Sequence, residues 1–199
     1  MSFANQYPHI QLIQQLAAKR RIQVYLIGGF LRDHLIGRPC MDFDFAVEKG
    51  AIPFAKKFAD VVKGAFVLLD DKFGCARVVK KTSDGTRIFD FADYRAATFE
   101  KDLAHRDFVL NTLALDVLKL DPSADLDKAI LDKTGAKKDI AKNIIRMTSP
   151  KAFKEDPLRL LRAYSLRAQL NFKIAPATLT QIKKDKALIS DVSVERVRD

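Results

Sequence analysis

Two glycines sit between an apolar run and a short helical segment, and two aspartates spaced by one residue follow within fifteen positions. This stretch, "LIGGFLRDHLIGRPCMDFDFAV" from Leu26 to Val47, constrains the chain more than any other. "IQVYLIGG" reads as a strand ended by Gly28 and Gly29, "FLRDHLIG" as a short helix closed by Gly37, and "DFDFAV" as a strand with strict alternation. Strand, turn, helix and strand in so few residues require a sheet with a helix laid against it.

On a strand, residues i and i+2 point to one face, about 6 to 7 Å apart along the chain. Asp42 and Asp44 so placed can converge on one divalent ion or bridge two, the arrangement of phosphoryl and nucleotidyl transfer. Oxygen ligands suit Mg²⁺, with Mn²⁺ as the alternative. A lone D-x-D is more often the solvent face of an edge strand, so the neighbours matter. Gly28 and Gly29 let backbone N–H groups at a helix start face a phosphate, and Arg32, one turn on, adds a guanidinium for the same anion.

The remaining chain is read around that unit. "IQLIQQLAAKRR" is an amphipathic helix before the first strand, and "AIPFAKKFADVVKG" is another, with Pro53 in its first turn. "AFVLLD", "CARVVKK" and "RIFDFADY" follow as strands, the last two joined by "TSDGT". "TFEKDLAHRDFVLN" reads as helix, "TLALDVLKL" as strand and "DPSADLDK" as loop. From about Pro150 the pattern is helical: "KAFKEDPLRLLRAYSLRAQL", "APATLTQIKKDKALI" and a helix start at "SVERVRD". The expected organisation is a head over residues 1–145 and a helical neck over 146–199, cut short at Asp199.

The 199 residues suffice for one sizeable core, and 48% hydrophobic with 30% charged residues is a globular balance. Without a signal peptide or an apolar run of about 18 residues, a cytoplasmic protein with no membrane partner is expected. Cys40 and Cys75 make neither a disulfide framework nor, with His9, His34 and His105, a zinc spacing. Of the net charge of +10, residues 137–199 carry +8, from 15 Lys/Arg against 7 Asp/Glu. That third is the expected contact with a polyanion.

"EDPLRLLRAYSLRAQL" permits an argument about base choice. Asp156, Arg159 and Arg162 are spaced i, i+3, i+6, one stripe of a helix. An ionised carboxylate only accepts hydrogen bonds and a guanidinium only donates them. Together they complement an amino group beside an unprotonated ring nitrogen, the edge shared by cytosine and adenine. Guanine and uracil fail both contacts and leave the site's polar groups unpaired. Alone, such a row is more often a surface ion pair.

G-G-x-x-R-D followed by D-x-D resembles the nucleotidyltransferase superfamily that includes DNA polymerase beta. The form "GGFLRD" with "DFDF" resembles its class II branch, the tRNA nucleotidyltransferases (CCA-adding enzymes) and bacterial poly(A) polymerases. "DLAHRDFVLNTLALDV", "LDKTGAKKDIAKNIIR" and "EDPLRLLRA" continue the likeness in the family's order.

The resemblance implies an α/β (α+β) fold: a polymerase beta-like head with a small mixed sheet flanked by helices, then an all-helical neck. It implies template-independent addition of C and/or A to the tRNA 3′ end from CTP or ATP, with two Mg²⁺ ions on Asp42 and Asp44. No obligate protein partner is indicated. Asp90, in Phe89-Asp90-Phe91, is the implied third carboxylate, acting on the attacking 3′-hydroxyl or helping to hold metal. Gly28, Gly29, Arg32 and Arg106 would bind the nucleotide's phosphates, and Asp156, Arg159 and Arg162 the nucleotide at its base-reading motif. Asp107 and Asn111 would brace their segment, touch the sugar and phosphates, or cap helices. His105 replaces the family's usual first arginine, Val109 a common threonine, and Ser165 an arginine often found on the stripe. A bacterial poly(A) polymerase is the alternative enzyme, and its basic segment is absent from "VVKGAFVLLDDKFG". A non-catalytic RNA-binding protein is the alternative of another class. As a family head and neck without body and tail, the chain is expected to bind tRNA poorly.

Overall fold

Two Phe-x-Phe ladders organise the sheet. The computed structural model describes residues 7–121 and 125–198. Helix α1 (Pro8–Arg20) leads into β1 (Val24–Ile27), α2 (Gly29–Leu35), β2 (Asp42–Val47) and α3 (Ala51–Val62). Strands β3 (Ala65–Asp70), β4 (Cys75–Thr82) and β5 (Gly85–Asp93) follow, and β6 (Ala114–Asp116) comes later. The order is β3-β4-β5-β2-β1-β6, antiparallel throughout except for the parallel pair β2/β5. The expected small mixed sheet with flanking helices is what forms.

In the parallel pair, Phe43 lies opposite Phe89 and Phe45 opposite Phe91. Their rings stack with centroids 5.1 and 5.0 Å apart. Helix α3 covers this face with Phe54 and Phe58, whose rings lie 5.5 Å from Phe91 and 5.1 Å from Phe89. All six phenylalanines are buried. Slipping the register by one residue would turn these rings to the other face, so the aromatic core fixes which residues oppose one another across β2/β5.

The backbone falls into two compact units. One runs up to Phe99 and takes Leu113–Asp132; the other comprises Glu100–Thr112 and the chain from Lys133 onward. Residues 100–112 and 133–145, which the sequence groups with the head, therefore pack with the helices. The second unit holds most of α4 (Phe99–Ala104), then α6 (Ala136–Ala141), β7 (Ile144–Ile145), α7 (Ala152–Glu155), α8 (Arg159–Leu170), β8 (Lys173–Ile174), α9 (Pro176–Asp185) and α10 (Val194–Arg198). β7 and β8 pair in parallel, so this unit is not purely helical.

Several elements differ from expectation for local reasons. The helix expected through "HRDFVLN" stops at Ala104, because Phe108 is extended with its N–H donated to the Asp107 carboxylate. The strand "TLALDVLKL" shortens to β6, ended where Asp116 accepts the Leu118 N–H and starts a 3₁₀ turn. In the expected loop "DPSADLDK", α5 (Leu126–Ala129) forms behind an Asp125 cap, while residues 122–124 lie outside the described residues. The long helix from Lys151 breaks at Asp156, which precedes Pro157 and is extended at φ −151°. Among the described residues no helix is long and apolar enough to cross a membrane.

Candidate active site

The register that buries the phenylalanines sets the carboxylates on the opposite face of the sheet. Asp44 lies directly across from Asp90, and Asp42 shares the Asp44 face two residues earlier. One row crosses the whole sheet: Val67, Arg77, Asp90, Asp44, Ile27 and Ala114. Asp42 is exposed, and Asp44 and Asp90 are half-buried. Neighbouring carboxylates on one open face repel one another unless cations offset them.

One such cation comes from the protein. Arg77 forks onto Asp90, Nε to Oδ1 at 2.7 Å and Nη2 to Oδ2 at 2.8 Å. The hydrogen bond to Asp90 raises the Arg77 pKa most; burial opposes the shift, and the charges of Asp90, Asp42 and Asp44 add to it. Asp42 and Asp44 are oxygen donors on an accessible face and fit a hard divalent ion. Among the described residues no three His, Cys, Asp or Glu side chains converge closely enough to hold a metal. The pair therefore suits an ion that also binds substrate oxygens and water.

The turn before α2 lies in the same unit. Gly28 has φ 80° and ψ −137°, a conformation open to glycine. Its N–H is donated to Leu113 O at 3.1 Å, so donors for an anion begin at Gly29 and not at Gly28 as expected. Arg32 is 5% exposed and forks onto Asp33, Nε to Oδ1 at 2.9 Å and Nη2 to Oδ2 at 3.0 Å. Its guanidinium lies against Gly29, where Nη2 stands 3.4 Å from the position a Cβ would take.

The remaining candidates belong to the second unit. Arg106 donates Nη2 to Asp102 at 2.9 Å, and its buried Nε has no hydrogen-bond partner among the described residues. Asp107, buried, accepts from the Phe108 N–H, from Asn111 and twice from Arg162. Burial alone would raise its pKa. Arg162, Asn111 and the Phe108 N–H outweigh that and hold the carboxyl below its ordinary range. Asn111 thus braces the segment through Asp107.

Asp156, Arg159 and Arg162 are not a row on one helix, because Asp156 sits in the Pro157 break and only the arginines lie on α8. Asp156 accepts from the Leu158 N–H and from Arg196 at 3.2 Å. Arg159, 4% exposed, donates to the carbonyls of Ala152 and His105. Glu155 lies 3.2 Å from the His105 ring and 3.6 Å from Arg159. Arg77 and Glu155 had no expected role. Strand alternation was the signal for Arg77, but its pairing partner was not legible.

Residues 24–146 match the family described as the poly A polymerase head domain, and residues 171–199 match "Probable RNA and SrmB-binding site of polymerase A". The chain is 38% identical over 192 residues to a CC-adding tRNA nucleotidyltransferase of Geobacter sulfurreducens, covering 96% of this chain and 42% of that protein. It is 36% identical over 178 residues to a CC-adding tRNA nucleotidyltransferase of Synechocystis, covering 88% and 40%. The chain thus spans about two fifths of the curated relatives it matches. A solved CCA-adding enzyme in complex with ATP superimposes with TM-score 0.81 at 28% identity, covering 98% of this chain and 46% of that one. The family-wide head, its four ordered motifs and these relatives agree: the chain belongs to the class II tRNA nucleotidyltransferase and bacterial poly(A) polymerase family.

Proposed function

We propose that the protein carrying this chain adds nucleotides to the 3′ end of tRNA without a template, taking C from CTP and, where it completes the end, A from ATP. The observation that carries this reading is the register Asp44 opposite Asp90, with Asp42 on the same face. Divalent ions, when bound, supply Lewis-acid stabilisation of the attacking and departing oxygens. Asp42 and Asp44 hold Mg²⁺ or Mn²⁺ and, with Asp90, orient the tRNA 3′-hydroxyl toward the α-phosphate. Gly29, its turn set by Gly28 and braced by Arg32, presents N–H groups to the triphosphate. Arg106, on the segment that resembles the family's arginine motif, is assigned to a nucleotide phosphate.

Asp156 reads the amino group of C or A after exchanging Arg196 for the base. Arg159, and Arg162 through Asp107, hold the surrounding segments. The relatives named CC-adding favour CTP as the first substrate.

The test incubates the protein with Mg²⁺, each labelled nucleoside triphosphate in turn, and either tRNA lacking its 3′ end or a generic RNA. CMP incorporation confined to tRNA is expected. Long A tails on generic RNA would make the protein a poly(A) polymerase, and no incorporation into either would leave an RNA-binding protein.

A further inference from the structure

Three carboxylates share the open face of β2 and β5, and Asp90 is gripped through both oxygens by a side chain from the neighbouring strand. The fork is geometrically favourable. Arg77 and Asp90 are directly opposed in the β4/β5 register, and both bonds are shorter than 3 Å. Both side chains stay partly open, 39% and 28% exposed, so the pair borders solvent. A carboxylate has about four lone-pair positions, and a bidentate arginine occupies two. Asp90 so held keeps acceptor capacity but is fixed in direction, and the local charge falls from −3 to −2.

We propose that Arg77 is a positioning residue that divides labour among the carboxylates: it holds Asp90 for the attacking hydroxyl and leaves the metal to Asp42 and Asp44. The inference rests on the assignment of Asp90 to the transfer centre. Without Arg77, Asp90 is free to turn toward the ion, and the face gains one net negative charge. Metal affinity then rises while turnover falls. A merely structural arginine gives no such opposition, because a loosened fold lowers both.

The experiment measures Mn²⁺ affinity from the free-ion electron paramagnetic resonance signal, and CMP incorporation into tRNA lacking its 3′ end. Wild type, Arg77→Ala, Arg77→Lys and Asp90→Ala are compared. Arg77→Ala should bind Mn²⁺ about five- to tenfold more tightly, the scale of one removed charge at several ångströms in a half-exposed site. Its incorporation should fall at least about tenfold, the scale of a misplaced reacting group. Arg77→Lys keeps the charge and loses the fork, so Mn²⁺ affinity should fall between wild type and Arg77→Ala while incorporation recovers only in part.

Unchanged or weaker Mn²⁺ binding in Arg77→Ala, or full wild-type incorporation by Arg77→Lys, overturns the proposal. Should the alanine variant not fold, Arg77→Gln carries the same expectation. Full incorporation by Asp90→Ala would instead remove Asp90 from the transfer centre, a failure distinct from that of Arg77.

Discussion

Asp107 shows how one buried carboxylate can join segments 55 residues apart. It accepts from Arg162 at 2.8 Å, from Asn111 at 3.0 Å and from the Phe108 N–H at 2.7 Å. Its folded pKa lies below the unfolded value, so the stabilisation is fully present above about pH 4 and is lost as pH falls through the folded value. Urea titrations should show wild type losing more stability as pH falls below about 4 than Asp107→Asn does. At neutral pH, Asp107→Ala should cost about 1–3 kcal/mol, because the Asn111 amide and the Phe108 N–H lose their partner. Asp33→Ala should cost more, about 3–5 kcal/mol, since it strips a 5% exposed arginine of its fork. Asp42 and Asp44 were legible because strand alternation is local, and Asp90 only through the family resemblance. Arg77 on Asp90 and Arg162 on Asp107 were not, since each pairing depends on which distant elements meet.

At the scale of elements, the phenylalanine ladder decides where the carboxylates stand. Phe89→Ala removes a buried ring stacked on Phe43 and touching Phe58, and should cost about 3–5 kcal/mol in chemical denaturation. Nucleotide incorporation should fall with it, since the same ladder sets Asp90 opposite Asp44. The strands and the helix over the Phe face were readable because each carries its own periodicity. The parallel pairing of β2 and β5 was not, because pairing order depends on the connections between strands.

The break at Pro157 was available in the sequence, for a residue before proline avoids the α region. Helical spacing across 151–170 concealed it. Pro157→Ala should let the segment run on as helix, raising the circular dichroism signal at 222 nm and separating Asp156 from Arg196.

Over the whole molecule, charge is as unevenly distributed as chemistry. Residues 137–199 hold +8 of the net +10, while Asp42, Asp44 and Asp90 lie on the sheet. RNA bound by such a segment releases counterions, so its affinity should fall steeply with salt, at least about tenfold between 50 and 200 mM KCl. Fluorescence anisotropy with labelled tRNA measures this, and a flat salt response would remove residues 137–199 as the contact. The division into two units was only partly legible, because residues 100–112 and 133–145 follow the head in sequence and pack with the helices.

The proposed function requires Asp42 and Asp44 to hold the metal ions of a nucleotidyl-transfer centre. An anomalous difference map from crystals of the protein grown with Mn²⁺ and CTP tests it most directly. Mn²⁺ peaks ligated by the Asp42 and Asp44 carboxylates are expected, with the triphosphate running toward Gly29; Mn²⁺ and triphosphate bound away from both aspartates would remove the pair from the metal site.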